Sequence, residues 1–163
     1  MTTGPMLLAQ LDGRDPGEVF RPSGDGPHVF RLTGRALSAV PLSRIEVIVN
    51  GEVAERLKPA NRKTDAGGYE SALDARLKVD GSSWLAVRCY EERPDGRVRF
   101  AHTAPWHVEV DGKPLSPRKA EVEFLVQRVE AQLKRSADVL PEAALAEYRE
   151  GLRVFKELAK TAR

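Results

Sequence analysis

Tyr69-Glu70-Ser71-Ala72-Leu73-Asp74-Ala75-Arg76-Leu77-Lys78-Val79, reading YESALDARLKV, alternates small or apolar residues with mostly charged ones. In an extended chain successive side chains leave opposite sides of the strand. Tyr69, Ser71, Leu73, Ala75, Leu77 and Val79 therefore share one face, and Glu70, Asp74, Arg76 and Lys78 the other. One face of this strand belongs in a core and the other in water.

The same period extends to either side. Ile45, Val47 and Val49 alternate with Arg44, Glu46 and Ile48. Leu85, Val87 and Cys89 repeat it, as do Val98 with Phe100, and Trp106 with Val108 and Val110. Met6 to Leu11 and His28 to Ala36 are further strands, the second with Phe30 and Leu32 pointing inward. Between these runs stand Asp12-Gly13, Asn50-Gly51, Asp80-Gly81, Asp95-Gly96 and Asp111-Gly112, dipeptides that tolerate the positive backbone angles of tight hairpins. Seven short strands with such turns between them predict a mainly β fold, an immunoglobulin-like antiparallel β-sandwich over residues 1–113. Two longer polar stretches, Asp12 to Pro27 and Leu57 to Gly68, read as loops. Neither resembles a phosphate loop, because no Gly-Lys-Ser or Gly-Lys-Thr follows the glycines and no helix signal comes next.

From 114 to 163 the period changes. Ser116-Pro117 reads as a helix cap followed by proline at the first helical position. Val122, Leu125, Val126, Val129 and Leu133 then recur at three and four. A second helix opens near Pro141, with Leu145, Tyr148, Leu152, Phe155 and Leu158 on one stripe. The short link from Ser136 to Leu140 predicts an antiparallel helical hairpin, packed on the sandwich or on a partner.

Composition narrows the function classes. The chain has 163 residues, 41% hydrophobic and 31% charged, and its 26 Lys plus Arg nearly balance 24 Asp plus Glu. A net charge of +2, mixed along the chain, gives no reason to expect nucleic acid as a partner. The run Met6 to Ala9 is too short for a signal-peptide core or a membrane span, so the chain reads as cytoplasmic with no membrane partner. Cys89, the single cysteine, lies in an apolar strand pattern and reads as a buried, inert thiol.

Reaction chemistry is scarce. His102-Thr-Ala-Pro-Trp-His107 puts two of three histidines five positions apart. A zinc site needs several converging donors, commonly His-x-His or His-Glu-x-x-His, and neither pattern occurs. HTAPWH therefore reads as the end of one strand, a proline joint and the start of the next, with His107 facing outward. His28 precedes a different strand. Ser82 and Ser83 follow a turn without the Gly-x-Ser-x-Gly elbow of a hydrolase. No catalytic residue, metal or cofactor is assigned. Trp84, Arg88 and Tyr90, by contrast, share the strand face opposite Leu85, Val87 and Cys89. Exposed aromatics beside a guanidinium would suit an interface or a sugar-binding row; the preferred reading is that the C-terminal helices or a neighbouring domain cover them.

Five blocks in order carry a family resemblance: Thr2 to Leu8 (TTGPMLL), Asp12 to Gly17 (DGRDPG), Val40-Pro41-Leu42 with Ile45 to Gly51 (VPL, IEVIVNG), Ser83 to Arg88 (SWLAVR) and Phe100 to Pro105 (FAHTAP). Over nearly the whole chain this series resembles the C-terminal region of CehA/McbA-type metallohydrolases, of the polymerase and histidinol phosphatase (PHP) superfamily. In that family a metal-bearing barrel lies upstream, and a stretch similar to TTGPMLL leads out of it into a β-rich domain. The barrel's metal-ligand motifs have no matching positions here. The resemblance thus implies a non-catalytic accessory part of a metal-dependent hydrolase: half of a split enzyme, a fragment of a longer reading frame, or a domain with a separate role. Its implied partner is a PHP catalytic domain or a second copy of itself, docked around Met6 and Leu8 or around Trp84 and Tyr90. The alternative from another class is a free-standing module that binds a carbohydrate or a protein through Trp84, Arg88 and Tyr90.

Overall fold

The computed structural model describes residues 1–113 and 115–162. The chain divides into two compact units, Met1–Leu115 and Ser116–Arg163.

The first unit holds two sheets. One has the order β1 (Met6–Leu11), β3 (His28–Ser38), β7 (Tyr69–Val79), β6 (Arg62–Lys63). The other runs β2 (Val19–Phe20), β10 (Trp106–Val108), β8 (Ser83–Glu92), β4 (Arg44–Val49), β5 (Glu52–Leu57), with β9 (Val98–His102) also paired to β8. YESALDARLKV is β7, and it pairs with β3 over its full length, from His28 opposite Val79 to Ser38 opposite Tyr69. Its alternation is reproduced in burial: Ser71, Leu73, Ala75, Leu77 and Val79 are buried while Asp74, Arg76 and Lys78 are exposed. Leu11, Leu32, Ile45, Val47, Leu85, Val87, Cys89 and Trp106 join them in one hydrophobic core shared by both sheets. Each fully buried leucine or valine there contributes about 1.5–3 kcal/mol relative to an exposed one.

Several local expectations are corrected. The stretch Asp12 to Pro27 is not only loop: β2 lies within it and pairs parallel with β10, so the second sheet is mixed. Leu57 to Gly68 likewise contains the short β6. The edge strand β5 had no apolar run to announce it; it is charged and only half-buried on its inner side. Val98 and Phe100 were expected to face the core, whereas Ala101 between Phe100 and His102 is the buried residue. The turn dipeptides also divide. Asn50-Gly51 closes the β4–β5 hairpin with φ of 52° and 89°. Asp80-Gly81 instead joins β7 to β8, which lie in different sheets. A turn residue permits the chain to reverse, but the pairing of the next strand is a tertiary matter.

The second unit is a pair of helices, α1 (Lys119–Ser136) and α2 (Glu142–Thr161). Ser116 Oγ donates to the Thr161 carbonyl at 3.0 Å, and Glu130 meets Lys156 at 2.7 Å, so the helices run antiparallel. Ser116 is not the cap; the extended Arg118 is, and α1 begins two residues later than the Ser-Pro signal implied. The packed line of α1 is Val122, Val126, Val129, Leu133 and Ser136, and that of α2 is Leu145, Leu152, Phe155 and Ala159. Leu125, Tyr148 and Leu158, which periodicity placed on the packed stripes, are exposed. No described helix is long and apolar enough to cross a membrane.

Candidate functional site

The outer face of the six-stranded sheet carries the densest arrangement of aromatic and charged side chains. Strand pairing assembles it in lateral rows. Glu46 on β4 stands opposite Arg56 on β5 and Arg88 on β8, and Arg88 stands opposite His102 on β9. One row therefore reads Arg56, Glu46, Arg88, His102 across four strands. The next reads Arg44, Tyr90, Phe100. Ile48 and Ala86 separate these from Trp84, which is opposite His107 on β10.

Glu46 is the centre of the first row. Its neighbours Ile45 and Val47 point into the core, yet the Glu46 side chain is itself only 7% exposed because arginines enclose it. Arg88 Nε donates to Oε2 at 2.7 Å, while Nε of Arg56 and of Arg44 lie 3.5 and 3.7 Å from Oε1. Burial pushes the carboxyl toward protonation. The hydrogen bond and charge of Arg88, with the charges of Arg44 and Arg56, outweigh that and hold Glu46 below the usual glutamate value.

An aromatic row lies alongside. The Arg44 guanidinium sits 4.0 Å above the Tyr90 ring and that of Arg88 is 5.7 Å from it. Tyr90 and Phe100 are 6.4 Å apart, and Phe100 and His102 stack at 6.1 Å with 7° between their planes. His102 Nδ1 lies 3.0 Å from the Thr103 carbonyl, which can only accept, so Nδ1 is the donor in that contact.

HTAPWH is a break in one edge. β9 and β10 pair with successive parts of β8, and Thr103 between them receives the Val87 N–H on its hydroxyl at 3.1 Å and donates its own N–H to the Val87 carbonyl at 2.9 Å. A side-chain oxygen thus takes the place of a ladder carbonyl. His102 and His107 both lie on the outer face, opposite Arg88 and Trp84, so they are separated by about 13 Å along the strand, too far to hold one ion. Among the described residues no three His, Cys, Asp or Glu side chains come together.

The other sequence candidates are placed as follows. Trp84, Arg88 and Tyr90 are half-exposed on this one face. Met6 and Leu8, 55% and 45% exposed, lie on the outer face of the four-stranded sheet, on the far side of the core, so the two groups form no common site. Leu8 there borders an open groove with Gln10, Asp15, Pro16, Gly34 and Arg35. The buried Cys89 thiol is pushed up to about 11, chiefly by burial, and stays protonated at neutral pH. Ser82 and Ser83 anchor loops: Ser82 Oγ donates to the Lys113 carbonyl at 2.7 Å, and Ser83 Oγ to that of Gly81 at 2.8 Å.

Sequence reasoning missed Glu46, Arg44, Arg56 and Phe100 as members of the site. The alternation placed Arg44 and Glu46 on one side of β4, but nothing local joins that side to Arg88, whose partner is 42 residues away. No protein-family model and no curated protein matches this chain.

Proposed function

We propose that the chain is a non-catalytic accessory domain of a PHP-type metal-dependent hydrolase and acts by docking onto another protein. The observation that carries this reading is where the five resembling blocks fall. TTGPMLL supplies β1 and the segment before it, in which Thr3 N–H donates to the Phe100 carbonyl at 2.9 Å. Gly4 of that block lies so close to β8 and β9 that a Cβ would come within 2.8 Å of Arg99 and 3.2 Å of Glu91. DGRDPG makes the turn that closes Leu11 onto Arg14, and the Arg14 carbonyl accepts the indole N–H of the fully buried Trp106 at 3.1 Å. IEVIVNG is β4 and its hairpin turn, SWLAVR opens β8, and FAHTAP ends β9 at His102 and supplies Thr103. Every block has a framework task, as an accessory domain requires.

The strand order supports the immunoglobulin-like reading. A sheet of first, second, fifth and fourth framework strands faces one of seventh, sixth, third and an added edge strand, if β2 is counted as a continuation of β1 and the pair β9 and β10 as one broken strand. The test is co-expression with a PHP-domain chain, followed by co-purification and metal-dependent hydrolysis of ester, amide and phosphoester substrates. Retention of the PHP chain and a gain in its hydrolysis are the expected results; two chains that elute separately at micromolar concentration would overturn the reading.

A second reading is a free-standing binding module for a carbohydrate or a protein, favoured by the adjoining rings of Tyr90, Phe100 and His102 beside Arg44 and Arg88. It predicts specific binding in a glycan or protein array that is lost in Trp84→Ala.

A further inference from the structure

The guanidiniums around Glu46 all present the same edge to it. Arg88, Arg56 and Arg44 each turn Nε toward the carboxylate. A guanidinium has a second edge, formed by its two Nη groups, whose spacing fits the two oxygens of a carboxylate. On Arg44 that edge is engaged by Glu92, 2.9 Å from Nη1. On Arg56 and Arg88 the Nη groups make no hydrogen bond among the described residues, and these side chains are 71% and 39% exposed. Arg88 is thus held in place by a buried anion and Arg56 lies beside the same carboxylate, both with unengaged forks and with a surplus of positive charge. Beside them lie the rings of Tyr90, Phe100 and His102.

We propose that Arg56 and Arg88 form a fork for a side-chain carboxylate of a protein partner, and that Tyr90, Phe100 and His102 form the floor for an apolar group next to that carboxylate. The proposal rests on the reading that this chain docks onto another protein, and it names the chemistry of the docked surface: an acidic residue adjoining an aromatic or aliphatic one. Charge complementarity argues for the acidic residue, because Glu46 and Glu92 together supply two negative charges against the three guanidiniums. Extent argues for a macromolecule, since four paired strands span about 14 Å of exposed sheet, more than a small anion covers. The buried carboxylate holds Arg88 rigid through Nε, so little side-chain entropy remains to be lost on binding.

The probe is a blocked peptide, acetyl-Glu-Phe-Glu-Phe-amide, titrated into the isotope-labelled chain and followed by NMR. Its Gln-for-Glu counterpart and inorganic phosphate serve as comparisons. The acidic peptide should shift the Nε–H signals of Arg56 and Arg88 and the His102 ring signals, and should bind at least about tenfold more tightly than the neutral peptide. Arg56→Gln should weaken it by a similar factor. Arg56 is 71% exposed and makes no hydrogen bond to Glu46, so its replacement leaves the Arg88–Glu46 pair in place; melting curves of the Arg56 and Arg88 variants check that the fold is retained. Arg31→Gln, on the outer face of the other sheet, should leave binding unchanged. Equal binding of the two peptides, undiminished binding in Arg56→Gln, or phosphate shifting the same signals with equal affinity would overturn the fork. If Arg56→Gln loses the peptide but no PHP chain co-purifies with the wild type, the fork stands and the accessory reading falls. If a PHP chain is retained equally by wild type and Arg56→Gln, the accessory reading stands and the fork falls.

Discussion

Arg88 Nε donates to Glu46 Oε2 at 2.7 Å, linking strands 42 residues apart through a carboxylate that water hardly reaches. Because the folded protein holds Glu46 below its ordinary value, the stability it contributes is fully present above about pH 4.3 and is lost as pH falls through the folded value. Glu46→Gln should therefore cost about 1.5–3 kcal/mol at pH 7, the range for hydrogen bonds to charged groups, and progressively less below pH ~4. Urea unfolding of wild type and variant across this range measures the difference. A gap that stays constant into acid would show that the Glu46 charge is not what Arg88 holds.

Thr103 is buried and its hydroxyl accepts the Val87 N–H. Thr103→Val keeps the shape of the side chain but leaves that amide without an acceptor, at a cost of about 1–3 kcal/mol. Thr103→Ser, which retains the oxygen, should recover most of the loss. Melting temperatures of the two variants give the comparison, and a Thr103→Ser variant less stable than Thr103→Val would assign the role of Thr103 to its methyl group.

Glycine substitutions should divide by position. Gly34 on β3 has φ of 145°, and a Cβ there would lie 2.1 Å from the Leu8 carbonyl oxygen, inside the β1–β3 pair. Gly34→Ala should cost well over about 2 kcal/mol, as a substitution whose native backbone angle is incompatible with a side chain. Gly151 in α2 has open space around it, so Gly151→Ala should add about 0.5–1 kcal/mol of stability to that helix. Denaturant midpoints of the two variants should move in opposite directions.

In the helical pair, Leu145 is 6% exposed and Leu125 41%. Leu145→Ala should cost about 2–5 kcal/mol and Leu125→Ala less than about 1 kcal/mol. Circular dichroism melts of both variants test the assignment, and a larger loss at Leu125 would place the packed stripe where periodicity alone put it.

The alternation in YESALDARLKV determined which residues of β7 are buried, because an extended backbone sends neighbouring side chains to opposite sides whatever surrounds it. The segments that form β4 and β8 announced their strands in the same way, and the change to a period of three and four announced both helices. Tertiary structure alone decided which of two sides faces the core. In β9 the alternation correctly grouped Val98, Phe100 and His102, but Cys89 opposite Ala101 sets Ala101 inward and leaves Phe100 outside against Tyr90 and His102. In α1, Leu125 and Val126 are one residue and about 100° apart, both compatible with an apolar stripe, and the position of α2 selects Val126. The arginine cluster is of the same kind. Arg44, Glu46, Arg56 and Arg88 lie on three strands whose order in the sheet no local pattern specifies, and only when β4 is laid between β5 and β8 does one glutamate acquire its three guanidiniums.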